Sequence, residues 1–182
     1  YTDIVSMIVE STLDPAVQQG ALEIFRRLGE VEARLHDEAL ETVHFHEVGA
    51  VDSIVDVVGA VLGMQALGIE TVMVSPVNVG HGSVRAAHGL LPVPAPATLE
   101  LLKGCPAYAG IIRREMTTPT GAAIITTMAR RFGPLPLLNA ARIGYGAGRR
   151  NPPDSPHVLR SITGLGWPAC GTEARGWPGG RE

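Results

Sequence analysis

The run His44 to Gly59, HFHEVGAVDSIVDVVG, decides how this chain is read, because it sets two histidines and three carboxylates into sequence that is otherwise core-like. Val43 to Glu47 alternates as a strand does, which predicts His44 and His46 on one face and Phe45 on the other. Gly49 then permits a sharp turn. From Asp52 the period becomes helical: Ile54, Val55, Val58, Val61, Leu62 and Leu67 are apolar, and Gly68 is placed to stop the helix. Asp52 and Asp56, four residues apart, then share one helix face.

Like charges at that spacing repel by roughly 0.2–0.5 kcal/mol on an exposed helix, and by more where water is excluded. A cation or the helix N-terminus has to offset this. Imidazole nitrogen suits nickel, zinc, copper and iron, and carboxylate oxygen completes such a site, so His44, His46, Glu47, Asp52 and Asp56 form a coherent ligand set. A plainer reading makes Asp52 a helix cap, Asp56 a solvated residue and His-x-His an exposed polar alternation. On chemistry alone the two readings stand level.

The 182 residues suffice for one core built without staples. Hydrophobic residues make up 45% and aromatics 4%, so that core is aliphatic. A net charge of −3, with no long basic run, argues against nucleic acid or an anionic membrane as partner. No apolar run reaches about 18 residues, and the start lacks a signal pattern, so a spanning or secreted protein is not expected. Cys105 and Cys170 form no metal or redox motif and suit a reducing cytoplasm.

Around the central run, helices are predicted near 3–10, with Thr2 as N-cap, and near 14–36, where Asp14-Pro15 is a cap followed by a first-turn proline. Further helices are predicted near 52–67, 95–103 and 118–132, the last opened by Thr118-Pro119 and closed by Gly133. Short strands are expected near 43–47, 71–74, 106–109, 139–145 and 157–162. The fold class is therefore α+β (mixed α/β), helices packed with short strands.

Ser75 to Pro96 shows little periodicity and reads as one long functional loop. Its glycines, with His81, Arg85 and His88, suit an anionic ligand: backbone N–H groups approach closely, and an arginine forks onto phosphate or carboxylate. Thr118, Thr120 and Gly121 at a helix start offer free N–H groups, although most capped helices bind nothing. Arg113, Arg114 and Glu115 read equally as a charged turn or a pocket rim. Asn139 to Arg149 reads as a strand breaking into a glycine turn, and no helix follows to make it a dinucleotide site. Residues 1–163 form the expected domain, and the glycine- and tryptophan-rich stretch 164–182 is expected to be disordered.

The string HFHEVGAVDSIVDVVG, followed by AHGLLPVPAPAT (Ala87 to Thr98), TPTGAA (Thr118 to Ala123) and IGYGAG (Ile143 to Gly148), closely resembles the LarC-type nickel insertion proteins in order and spacing, from about Tyr1 to about Arg160. The resemblance implies a cytoplasmic, nucleotide-dependent nickel chelatase of lyase type. It would insert nickel into pyridinium-3,5-bisthiocarboxylic acid mononucleotide to give the nickel-pincer cofactor of lactate racemase and related enzymes. A lactate racemase-type apoenzyme is then a partner, and a homo-oligomer is compatible. Family members begin with a Gly-Ile-Ser-Gly-Asp-Met block and continue into a CTP-binding domain; neither is present between Tyr1 and Glu182, so the chain is expected not to complete the reaction alone. Metal binding falls to His44, His46, Glu47, Asp52 and Asp56, and mononucleotide contact to His81, Arg85, His88, Thr118, Thr120 and Gly121; no catalytic residue is assigned. Two other classes compete. A non-catalytic nickel carrier or storage module would need the histidines but not the Arg85 loop, and a His-x-His metallohydrolase would need a barrel of about 250 residues.

Overall fold

The computed structural model describes residues 1–43, 45, 51–86, 89–148 and 158–166. Its organising element is α2 (Pro15–His36), in which Val17, Ala21, Ile24, Phe25, Leu28 and Val31 fall on one buried stripe at helical spacing. The helix starts as the sequence dictates: Asp14 accepts a 2.9 Å hydrogen bond from the Ala16 N–H and Pro15 takes the first turn. It ends on Asp37, whose backbone is left-handed at φ 54°. His36, one residue earlier, lies 3.5 Å from the Glu32 carboxylate.

Four other helices among the described residues cover that stripe. α1 (Thr2–Val9) contributes Ile4 and Ile8, α3 (Val51–Ala66) Val57 and Val61, α4 (Pro96–Leu101) Ala97 and Leu101, and α5 (Pro119–Met128) Ala122 and Ala123. Burial of each large aliphatic or aromatic side chain contributes about 1.5–3 kcal/mol. Gly20 sets the approach of α2 to α3, since a Cβ there would lie 2.8 Å from a Val61 methyl. Phe45 packs inward, its ring 6.5 Å from those of Tyr1 and Phe25.

The strands form small sheets. β1 (Val72–Val74) runs parallel to β6 (Ala129–Phe132), and β2 (Val77–Asn78) runs parallel to β5 (Ala107–Tyr108). β3 (Gly82–Ala86) and β4 (Gly89–Val93) form an antiparallel hairpin, as do the longer β7 (Leu138–Ala147) and β8 (Val158–Gly166). The α+β expectation therefore holds. No helix among the described residues is long and apolar enough to cross a membrane.

Five local expectations change. Residues 75–96 are not one loop but carry β2, β3 and β4: Gly89, at φ +100°, stands where the β3–β4 hairpin turns back, in a stretch where no alternating pattern announces it. The last helix stops at Met128 rather than 132: Ala129 to Phe132 gain backbone partners in β1, and tertiary pairing overrides local helical preference. Thr2 is the first residue of α1, and Tyr1 takes the N-cap position without a side-chain hydrogen bond. β7 passes through Gly144 and Gly146 without turning, and β8 extends to Gly166, so the first three residues of the expected tail are strand. Of the strand expected at 43–47, Val43 and Phe45 are described and belong to no strand; His44, His46 and Glu47 lie outside the described residues.

Phe25 has no exposed surface and sits at the centre of the α2 stripe. Phe25→Ala should cost about 3–5 kcal/mol in chemical denaturation, whereas truncation of exposed Met7 to Ala should change stability by less than about 0.5 kcal/mol.

Candidate functional site

The sequence-assigned residues fall in two places. The first is the start of α3, where Asp52 and Asp56 lie on the same exposed face, opposite buried Val57 and Val61. Asp52 Oδ1 accepts a 2.9 Å hydrogen bond from the adjacent Ser53 N–H; because α3 already begins at Val51, Asp52 lies inside the first turn and is not the N-cap of the plainer reading. Its remaining carboxylate capacity, and all of that of Asp56, faces outward. Among the described residues no three His, Cys, Asp or Glu side chains gather as a metal site. His44, His46 and Glu47, the rest of the proposed ligand set, lie outside the described residues, as does His88.

The second place is a tight crossing of two backbone segments, 78–82 and 110–118. Asn78 is its pin. Its Oδ1 accepts hydrogen bonds from the N–H groups of Gly80 (3.1 Å) and Gly110 (3.0 Å), and its carbonyl accepts one from the Thr117 hydroxyl at 2.8 Å. The Met116 N–H donates to the Val79 carbonyl at 3.2 Å, and Gly80 bridges to Glu115. Gly80, at φ +75°, has no space for a side chain: a Cβ would lie 1.8 Å from the Arg114 carbonyl oxygen. Asn78 was not among the sequence candidates. An Asn two residues before a Gly is a recognisable Asx-turn signal, but not one that tells a structural turn from a site.

His81 and the start of α5 are joined by this crossing. The His81 Nδ1 lies 3.1 Å from the Gly110 carbonyl oxygen. A carbonyl only accepts, so Nδ1 carries the proton, and in the neutral ring Nε2 presents its lone pair. The Arg113 side chain lies against Gly82, with a Cβ on Gly82 placed 3.1 Å from the arginine Cγ. Directly after Thr117, Thr118 caps α5 by accepting from the Gly121 N–H at 3.2 Å. That N–H is thereby used internally, which reduces the free donors expected at this helix start. Thr120 and Gly121 follow half-buried. Fully buried Thr98, reaching the Thr117 carbonyl at 3.5 Å, braces the segment from α4. Arg85 stands apart, exposed on β3 opposite Leu90.

A cavity of about 410 Å³ elsewhere, between α2 and α4, is lined mostly by charged side chains already paired, Arg26 with Glu23 and Glu30, and Lys103 and Arg34 with Glu100. It braces two helices. Cys105 is half-buried, and burial pushes its thiol up, so it is a poor thiolate ligand at neutral pH.

A family model described as nickel insertion protein matches residues 1–177. The chain belongs to the nickel insertion protein family. The match passes the limit near Arg160 that the sequence resemblance set, and takes in most of the glycine-rich stretch. A nickel insertion protein of Desulfitobacterium hafniense (strain DSM 10664 / DCB-2), named for pyridinium-3,5-bisthiocarboxylic acid mononucleotide, is 56% identical over 163 residues, which cover 90% of this chain and 40% of that protein. The protein of the same name from Geobacillus kaustophilus (strain HTA426) is 49% identical over 164 residues, 90% of this chain and 40% of its own length. A putative nickel insertion protein of Citrifermentans bemidjiense is 51% identical over 176 residues, 97% of this chain and 44% of its own. The chain thus spans about two-fifths of the length of these nickel insertion proteins. No solved structure matches it.

Gly80→Ala should unfold the crossing in this nickel insertion family member, because both the positive φ and the Arg114 carbonyl oppose a methyl group. The expected loss is about 2–4 kcal/mol of stability by thermal or urea denaturation, against a change below about 1 kcal/mol for Gly59→Ala, where a Cβ meets nothing within 4 Å.

Proposed function

We propose that this chain is the metal- and substrate-holding portion of a protein that inserts nickel into pyridinium-3,5-bisthiocarboxylic acid mononucleotide, giving the nickel-pincer cofactor of lactate racemase-like enzymes. The observation that carries this reading is the 56% identity, across 90% of the chain, to a relative named for that reaction. In the proposal nickel is cargo, received by His44, His46, Glu47, Asp52 and Asp56. Imidazole and carboxylate hold a divalent ion well enough to select it, yet release it to sulfur and carbon more readily than four thiolates would.

The mononucleotide would sit at the backbone crossing, contacted by His81, Thr118, Thr120 and Gly121, with Arg113 added as a cation beside Gly82; Arg85, exposed on β3, and His88, outside the described residues, stay in the proposed contact set on the sequence reading alone. When the metal–carbon bond forms, the ring carbon loses its proton, and that proton must pass to a base. His81 suits this step: the Gly110 carbonyl fixes its tautomer and leaves Nε2 to accept. CTP, the cytoplasmic setting, the cyclometallating lyase chemistry and delivery to a lactate racemase-type apoenzyme extend the same proposal to the whole protein, of which relatives carry more than this chain spans.

The ligand set has a direct test. Asp56→Asn is expected to weaken nickel binding about tenfold or more by calorimetric titration. Its far-UV circular dichroism should not change, and the metal-free form should be equally or slightly more stable, because the repulsion from Asp52 is relieved. Wild-type nickel affinity in the Asp52→Asn/Asp56→Asn double variant would remove both residues from the site.

A further inference from the structure

The β7–β8 ribbon has a surface ill-suited to water. Every residue from Asn139 to Gly148 is exposed, and so are Val158 to Ser161 on the facing strand. Ile143 is 60%, Tyr145 66% and Leu159 70% exposed. The register sorts these side chains. Ile143 faces Ile162, Tyr145 faces Arg160 and Ala147 faces Val158, so five apolar side chains and one arginine share one face. The other face pairs Gly144 with Ser161 and Gly146 with Leu159. A two-stranded ribbon with both faces wet is marginal by itself, and its outer edges carry unpaired backbone groups.

We propose that this ribbon is a self-association surface, whose Ile143–Tyr145 face docks on the acidic body of a second copy while that copy's ribbon docks back in the same way. Charge selects the occupant. The described ribbon residues, 138–148 and 158–166, carry Arg142 and Arg160 and no acidic side chain, whereas the described residues of 1–137 hold nine basic against fourteen acidic side chains. Two ribbons meeting face to face would bring like charge together; ribbon on body brings opposite charge together. Size points the same way. A ribbon of nine or ten residues per strand is about 30 Å long and about 10 Å wide, so one face offers on the order of 300 Å², well below the roughly 800 Å² per partner of a stable interface. Reciprocal docking doubles the buried surface and closes the pair about a two-fold axis, leaving no ribbon free to recruit a third copy. Tyr145 and its cross-strand neighbour Arg160 are both of residue types enriched at interface hot spots. The inference is independent of the nickel reading.

Sedimentation-velocity measurements on the whole chain across a concentration series test it. The wild type should sediment as a dimer that weakens on a tenfold rise in ionic strength. The double variant Ile143→Asp/Tyr145→Asp should be monomeric with an unchanged far-UV spectrum. Should that variant misfold, Arg160→Glu serves instead, with an expected loss of about tenfold or more in dimer affinity at low salt. A wild type that stays monomeric at every concentration, one that forms open-ended assemblies, or a folded variant that keeps wild-type dimer affinity would each overturn the proposal.

Discussion

Burial of the stripe from Val17 to Val31 along α2 is the constraint on which the rest of the structure depends. A helix of 22 residues is about 33 Å long, enough for four shorter helices to find apolar partners on it. Three of those four, of 8, 6 and 10 residues, are too short to be stable alone in water, and α3, with 16, only just passes the usual limit of about 12–15. α4 and α5 hold their places because Ala97, Leu101, Ala122 and Ala123 are sealed against this core, and because Arg27 donates a 3.0 Å hydrogen bond to the Thr126 carbonyl near the end of α5. Those two helices in turn supply Thr98 and Thr118, the fixed ends between which the segment at 110–118 crosses the glycine strand.

The crossing depends on backbone features that would otherwise only cost stability. Backbone in left-handed conformation at Gly80 and Gly82 lets two chains approach within hydrogen-bonding distance without side chains between them. One Asn side chain satisfies two N–H groups that this geometry would leave unpaired. What remains facing outward is a histidine of fixed tautomer, an arginine and a capped helix start. A small anionic ring compound needs little more to be held in one orientation. The carboxylates of α3 are a separate feature, on a helix whose opposite face is locked into the core, so their positions along that helix are rigid even where their side chains are solvated.

Legibility in the sequence followed how local each interaction is. α2 was readable because its cap, its first-turn proline and its stripe all lie within its own residues; the same holds for Thr118-Pro119 and for Gly68, whose φ of +63° ends α3 as expected. β6 was not readable, since Ala129 to Phe132 become strand only by finding Val72 to Val74, far away in sequence. The β3–β4 hairpin was hidden by glycines that looked like loop, and the role of Asn78 depends on Gly110 and Thr117, more than thirty residues away. His81 and the start of α5 were expected to serve one ligand; what the structure shows is that the segments carrying them are tied by the Thr117 hydroxyl donating to the Asn78 carbonyl and by the His81–Gly110 contact. The placement of Asp52 and Asp56 on one face was legible from periodicity alone; that the face is exposed was not.

The central claim is that this chain receives nickel and holds the mononucleotide that will take it. The most direct measurement is the nickel content of the purified chain after equilibration with nickel and exhaustive buffer exchange, with and without pyridinium-3,5-bisthiocarboxylic acid mononucleotide. The account predicts about one nickel retained per chain without the mononucleotide, lost on replacing His44 and His46, and co-retention of mononucleotide when it is supplied. A chain that retains neither nickel nor mononucleotide while remaining folded would contradict it.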